Sequence, residues 1–252
     1  SGKLNQYINL HYSYLAYITM VLSLLLVLVQ AYISLKRFKE HSHLHSLSAK
    51  LASFILLALP LLVGFTFPTV TLDSQTVSAK GYYFPLSEGI DKAIQEREGT
   101  SSQYLKPDTS RFYSKTAYEN IVRKTADKYL GQSSIVINDE NYLEVMEVIY
   151  DFPNEFEGKE IEFTGFVYND PNYANSQFVF RFGIMHCIAD SGVFGLLTTG
   201  NTNHYENNTW VRVKGKISNH YHKELNQFLP TLEVQSFVKV DKPENPYVYK
   251  EF

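Results

Sequence analysis

The chain has 252 residues, enough for one or two domains with a real core. Its 23 Lys and Arg against 26 Asp and Glu leave a net charge of −3, and from Thr71 onward 18 basic residues face 25 acidic ones, a net of −7. That balance excludes a nucleic-acid binder, which needs concentrated positive charge to displace counterions, and disfavours tight adhesion to anionic lipid. With Cys187 as the one cysteine there is no internal disulfide, so the fold must be held by its core alone.

The apolar residues crowd into the first 72 positions. Residues 14–35 form a run of 22 without Asp, Glu, Lys or Arg, and residues 51–72 form a second of equal length. Each exceeds the roughly 20 residues that cross about 30 Å of hydrocarbon as a helix. Neither carries the polar face of a globular helix, which argues against a buried core pair, and the first is too long for the apolar part of a cleaved signal peptide. The loop between them holds Lys36, Arg37, Lys39 and Lys50, while the outer flanks offer only Lys3 and Lys80. Basic excess belongs in the cytoplasm, so the loop is expected inside and both outer ends, with the whole C-terminal region, outside. An outer N-terminus and a start at Ser1-Gly2-Lys3 together suggest a preceding segment, such as a further transmembrane helix.

Four stretches are expected: a transmembrane helical hairpin over 1–72, a polar tether over 73–109, a helical segment over 110–157, and a β-barrel with a C-terminal tail over 158–252. The hairpin has helices at about 14–35 and 51–72 and a His-containing cytoplasmic loop at 36–50. The tether is punctuated by Gly81, Pro85, Gly89, Gly99 and Pro107 and reads as having little regular structure. Tyr118, Ile121, Val122, Thr125 and Tyr129 repeat at helical spacing, with Gly131 placed as a C-terminal cap. A short strand at 135–137 precedes Asn138-Asp139 as capping residues. A second helix follows, with the apolar stripe Tyr142, Val145, Met146 and Ile149, and Pro153 ends it.

From Gly158 the period becomes twofold. Ile161, Phe163, Gly165 and Val167 alternate with Glu160, Glu162, Thr164 and Phe166. Further strands are expected at 178–185, 193–198, 210–217 and 232–240, with Gly165 and Gly215 where long strands must bend. Five strands in this space predict an α+β chain ending in a small five-stranded OB-like β-barrel; the competing architecture is an open antiparallel sheet backed by the two helices.

Several stretches together resemble the YcgQ-like family: Phe156-Glu-Gly-Lys-Glu-Ile-Glu-Phe-Thr-Gly-Phe-Val-Tyr168, Gln177-Phe-Val-Phe-Arg-Phe182, Trp210-Val-Arg-Val-Lys-Gly215, the ending Pro243-Glu-Asn-Pro-Tyr-Val-Tyr249 and the start Gly2-Lys-Leu-Asn-Gln-Tyr-Ile-Asn9. The resemblance spans essentially the whole chain. It implies a membrane-anchored protein of Gram-positive bacteria with a C-terminal domain of unknown function, acting as accessory subunit to a neighbouring multispanning permease, and often with a further helix ahead of the Gly-Lys-Leu segment. Many such proteins have a His-rich loop between the helices and a Cys-Cys-x-Ala-Asp sequence in the barrel. Here the latter reads His186-Cys187-Ile188-Ala189-Asp190, so a role that needs paired cysteines does not transfer.

Candidate chemistry is sparse. His41, His43 and His45 alternate in the cytoplasmic loop and can converge on a metal if the loop is extended; the plainer reading is a hydrophilic turn. His186, Cys187 and Asp190 end the second barrel strand and mix soft and hard ligands, with His204, His220 or His222 as a possible fourth. The plainer and preferred reading has Cys187 as a small buried hydrophobe and Asp190 as a turn residue before Gly192. No cofactor is otherwise expected, and zinc is the metal that such ligands would take. Glu160 and Glu162 read as surface charge, and no nucleophile motif or phosphate loop is present, so no enzyme is expected. Tyr82, Tyr83 and Phe84, soon after the second run, suit a lipid interface or a partner; Tyr247 and Tyr249, in the Pro-rich tail, have no obvious place in a strand, and that tail either packs across the barrel or docks on a partner. The leading expectation is a non-enzymatic, multi-pass accessory subunit of a permease with an extracytoplasmic barrel; the alternative is an extracytoplasmic metal-binding or metal-delivery protein.

Overall fold

The computed structural model describes residues 4–36, 46–67, 71–82, 115–171, 173, 176–200, 203–222 and 227–250. It divides into two units, His11–Thr71 and Ser1–Leu10 with Leu72–Phe252.

The first unit contains two apolar helices, α1 (Ser13–Leu35) and α2 (Leu47–Thr66). At 1.5 Å per residue they are about 35 and 30 Å long, sufficient to cross a bilayer core. No residue of either helix is buried, and their leucines, valines and phenylalanines stand 44–89% exposed. A core pair of a soluble protein would be covered; these side chains have no protein around them. The hydroxyls of Thr19 and Thr66 turn back onto the carbonyls of Leu15 and Leu62, each at 2.7 Å, which hides them from an apolar surround.

The second helix is shifted from its expected position at 51–72. It begins at Leu47 because the Ser46 hydroxyl accepts from the Ala49 N–H at 3.1 Å, a cap that places Lys50 in the first turn. It stops at Thr66 because Phe67 precedes a proline and takes extended backbone, φ −88° and ψ 139°.

The second unit is built on a closed barrel. Its strands are β1 (Ser134–Val136), β2 (Glu160–Tyr168), β3 (Gln177–Ile184), β4 (Gly192–Thr199), β5 (Trp210–His222), β6 (Gln227–Lys239) and β7 (Tyr247–Tyr249). Five of them close in the order β2–β3–β4–β6–β5–β2, with β4 and β6 parallel and the other pairs antiparallel. The closed five-stranded barrel expected from the twofold alternation is present, and the open sheet is not. Along β5, Val211, Val213, Gly215 and Ile217 are buried while Arg212 and Lys216 are exposed, as the alternation requires. At Gly215 the β5–β6 register slips by a bulge, and a Cβ there would lie 2.2 Å from the Glu233 carbonyl. Gly165 admits a similarly close backbone, with the Phe180 carbonyl 2.6 Å from where its Cβ would be.

Two strands extend the barrel at its edges: β1 pairs parallel with β2, and β7 pairs parallel with β3. Strands β5 and β6 run to 13 residues each, past the expected bounds, because they continue as a paired hairpin beyond the barrel.

Helices α3 (Ser74–Lys80), α4 (Lys115–Leu130), α5 (Tyr142–Asp151) and α6 (Pro153–Phe156) complete the described elements. The Asn138 side chain, one of the expected capping residues, accepts from the N–H groups of Glu140 and Asn141, both at 3.0 Å, ahead of α5. Tyr142, Val145, Met146 and Ile149 of α5 are fully buried. The Tyr150 hydroxyl donates to the Gly195 carbonyl at 2.6 Å and accepts from its N–H at 2.8 Å, tying α5 to β4. Helix α4 ends one residue before Gly131, the glycine placed as its C-terminal cap, and Lys159 donates to the carbonyls of Leu130 and Gln132 there, each at 2.7 Å.

Candidate functional site

Three short segments dock on strand β3 or on the turn that follows it. The first is the stretch before α1. Ile8 lies opposite Cys187 in an antiparallel bridge, with the Asn9 N–H donating to the His186 carbonyl at 2.9 Å and the Ile188 N–H donating to the Tyr7 carbonyl at 2.7 Å. Asn9 is 5% exposed, and its amide donates to the carbonyls of Met185 at 3.0 Å and Lys250 at 2.8 Å. A buried amide without such partners would cost several kcal/mol at the ~2–7 scale for an unpaired polar group, so these bonds hold the stretch in place.

The second segment is the C-terminal strand β7. It is fastened by Arg181, which is buried in the middle of β3. The guanidinium pairs with Asp139, donates to the Asn245 carbonyl at 3.0 Å and lies over the Tyr142 and Trp210 rings at 5.8 and 5.7 Å. Planar, five-donor geometry suits Arg to this task better than Lys. Lys250 adds an ion pair to Glu147 at 2.6 Å, and the Tyr249 hydroxyl donates to the Asn5 carbonyl at 2.6 Å, joining tail and N-terminal stretch directly.

The third segment follows α2. Asp73 caps α3 by accepting from the N–H groups of Gln75 at 3.0 Å and Thr76 at 3.3 Å. The Leu72 N–H donates to the Tyr247 hydroxyl at 2.9 Å, and the Ser74 N–H to the Asn208 side chain at 2.8 Å. Val77 is buried, and Tyr82 lays its ring against Phe178, Phe180 and Tyr168 at 4.7, 5.6 and 5.8 Å. Its hydroxyl donates to Asp170 at 2.7 Å; burial, then that bond, push the phenol well above its ordinary range. Residues 73–82 are therefore a docked helix and anchor, where the sequence suggested the start of a loose tether. Seven helical residues are too few to show a period. Their order comes from the cap and from contacts distant in sequence.

Residues 1–83 match the DUF1980 N-terminal domain and residues 112–250 the DUF1980 C-terminal domain. The chain belongs to the DUF1980 family. Over its full length this DUF1980 chain is 56% identical to a Streptococcus mutans protein named "Putative two-component membrane permease complex subunit", and 34% identical to the UPF0703 protein YcgQ of Bacillus subtilis. It covers 93% of each relative. The YcgQ-like resemblance read from the barrel strands and the two chain ends is thus upheld. No solved structure matches it.

In the DUF1980 chain His186, Cys187 and Asp190 do come together, in a single turn. His186 Nδ1 is 2.7 Å from Asp190 Oδ2, and the same carboxylate accepts from the N–H groups of His186 and Cys187, both at 3.0 Å. The carboxylate is committed to holding the backbone of the turn on which Tyr7–Asn9 dock. A metal would have to compete with those bonds, and among the described residues no group of three or more His, Cys, Asp or Glu is arranged to hold one. His204 is exposed, and His220 lies 3.6 Å from Glu233. The side chain of His222, and all of His41, His43, His45, Tyr83 and Phe84, lie outside the described residues.

Glu160 and Glu162 face Lys214 at 2.8 Å and Arg212 at 3.9 Å on the barrel surface, ordinary cross-strand pairs. The hydrogen bond from Lys214 lowers the Glu160 carboxyl below its usual range. Tyr247 is 1% exposed, and Tyr249 is half-buried against its own chain, so the surface expected there for a partner is used internally. The sequence reading missed Arg181, Asn9, Asp73 and Asn208. Arg181 had a signal: a lone charge amid Phe178, Val179, Phe180 and Phe182.

Proposed function

We propose that this chain is a membrane-anchored, non-enzymatic accessory subunit of a permease complex, with its OB-like barrel on the extracytoplasmic side. The observation that carries this reading is that the stretches entering and leaving the hairpin both fold into one barrel unit. If α1 and α2 span, their outer ends then lie on one side, together with the barrel. The basic loop residues Lys36, Arg37, Lys39 and Lys50 support the exterior as that side, since basic excess favours the cytoplasm.

Two further points support the reading. Neither helix carries a charged residue beyond Lys50 in the first turn of α2, so the hairpin offers no polar path for cargo of its own. The best-organised polar groups of the outer unit, Arg181, Asn9 and Asp190, are spent on backbone carbonyls and N–H groups, which suits a fastening role better than catalysis. The Streptococcus mutans relative, by its printed name, belongs to a two-component membrane permease complex, and a multispanning second component is the partner we assign here.

The test is purification of the tagged full chain from native membranes in mild detergent, with mass spectrometry of what accompanies it. A multispanning membrane protein in near-stoichiometric amount is expected. Recovery of the chain alone, under conditions that keep it folded, would remove the accessory role.

A further inference from the structure

We infer that strand β7 is a latch shared by the two places where the chain joins the hairpin: loosening the stretch before α1 loosens the segment after α2, and the reverse. Towards the first, the Asn9 amide donates to the Lys250 carbonyl at 2.8 Å, and the Tyr249 hydroxyl donates to the Asn5 carbonyl at 2.6 Å. Towards the second, the Tyr247 hydroxyl accepts from the Leu72 N–H at 2.9 Å. Beyond β7 the two segments lean on different parts of the barrel unit. Tyr7 and Asn9 bond to the backbone of Ile188 and His186, whereas Ser74 bonds to Asn208 and Tyr82 to Asp170. Strand β7 is the element bonded to both.

The coupling follows from what each release would leave behind. Three residues of β7 pair with Phe182–Ile184 of β3, so the strand has few ladder bonds of its own and depends on its side-chain ties. If β7 lifts, the buried Asn9 loses its Lys250 acceptor and the Leu72 N–H loses the Tyr247 hydroxyl, so both segments are left with unpaired polar groups. If either segment lifts, one of the ties that hold β7 down is gone. Docked and undocked β7 are therefore two states whose balance both segments bias, and coupling of that kind is reciprocal. Arg181 grips the root of the strand at the Asn245 carbonyl, so the barrel itself can stay closed while the latch moves. Helix α1 begins four residues after Asn9, and Leu72 follows the end of α2 by six, so the latch acts on both connections to the hairpin. It goes beyond the accessory role and needs no permease component to operate.

The experiment is hydrogen–deuterium exchange, read by peptide mass spectrometry, on the full chain in mild detergent. Asn9→Ala perturbs the first segment, and exchange is read at residues 71–82. Asp73→Ala, which removes the cap of α3, perturbs the second, and exchange is read at residues 4–12. In each case the distant segment should exchange about three- to tenfold faster, the factor for losing one or two modest hydrogen bonds. Residues 210–217 of β5 should keep their rate. Tyr247→Phe retains the ring but removes the acceptor for Leu72; in that background Asn9→Ala should no longer reach residues 71–82. Tyr249→Phe, which removes only the bond to Asn5, replaces Asn9→Ala should the latter fail to fold, with the same direction expected. An unchanged rate at the distant segment, equal acceleration of residues 210–217, or an effect that persists in full with Tyr247→Phe would each overturn the latch.

Discussion

The hairpin and the barrel unit spend their apolar residues in opposite ways. In the barrel unit, residues such as Ile161, Phe163, Val211 and Leu232 are buried within the chain, and polar groups among them are bonded: Arg181 to Asp139 and Asn245, Tyr150 to Gly195. In the two helices of the hairpin no residue is buried, although they are the more apolar of the two regions. A stable core needs the first arrangement in water, while the second is stable only where the surroundings are themselves apolar. The barrel unit should therefore respond strongly to changes in its core and its ionisation. Its stability should be nearly indifferent to the composition of the hairpin.

The largest effect is expected from alkaline pH. Burial raises the phenols of Tyr142 and Tyr150 above the ordinary value of 10, and burial followed by the bond to Glu144 raises Tyr129 to about 12. A phenol that stays protonated in the folded state stabilises it fully below pH 10 and loses that contribution as the pH rises towards its folded value. Tyr142 and Tyr150 should each cost about 1.4 kcal/mol per pH unit above 10. Denaturant titrations of the chain in detergent at pH 8, 10 and 11.5 should show stability flat to about pH 10 and falling steeply beyond. Ordinary, independent ionisation of these phenols near pH 10 with no loss of fold would break the contrast.

Next comes Gly215→Val, which drives a side chain into the Glu233 carbonyl at the bulge. A loss on the order of 3–5 kcal/mol of barrel stability is expected, by the scale for strain in a packed site. Arg181→Met should cost about 2–3 kcal/mol, because the carbonyl of Asn245 loses its buried donor and Asp139 its partner. It should also expose residues 245–250 to limited proteolysis before the rest of the unit opens. At the other extreme, Leu25→Ala on the hairpin should change the barrel's unfolding midpoint by less than about 0.5 kcal/mol equivalent. A larger effect would mean that the two regions are not the separate energetic units described here.

The same division explains what was legible in the sequence. Long uncharged runs and strict alternation are local patterns repeated over many residues, so the hairpin, strands β2 to β6 and the α5 stripe could be read directly. The docked pieces could not. Strand β7 is three residues long, the bridge at Ile8 is one, and α3 is seven. None is long enough to show a period, and each is held by partners more than 60 positions away, as in Tyr247 with Phe182, Tyr82 with Asp170 or Asn5 with Tyr249. The turn at His186–Asp190 was noticed for its residue types. Its geometry assigns Asp190 first to the backbone and makes the turn a landing place for the N-terminal stretch.

The proposed topology puts the docked pair Ile8 and Cys187 outside the cell. Ile8 and Cys187 face each other as a pair flanked by the bonds Asn9 N–H to His186 and Ile188 N–H to Tyr7. Cα atoms of such a pair lie about 4.5 Å apart, within the span of a disulfide. In an Ile8→Cys variant, treatment of intact cells with a membrane-impermeant oxidant should join positions 8 and 187. Peptide mass spectrometry of the unreduced protein should recover the two as one linked fragment. Two free thiols after that treatment, with linkage only once the cells are opened, would contradict the extracytoplasmic barrel; free thiols under both conditions would contradict the docking itself.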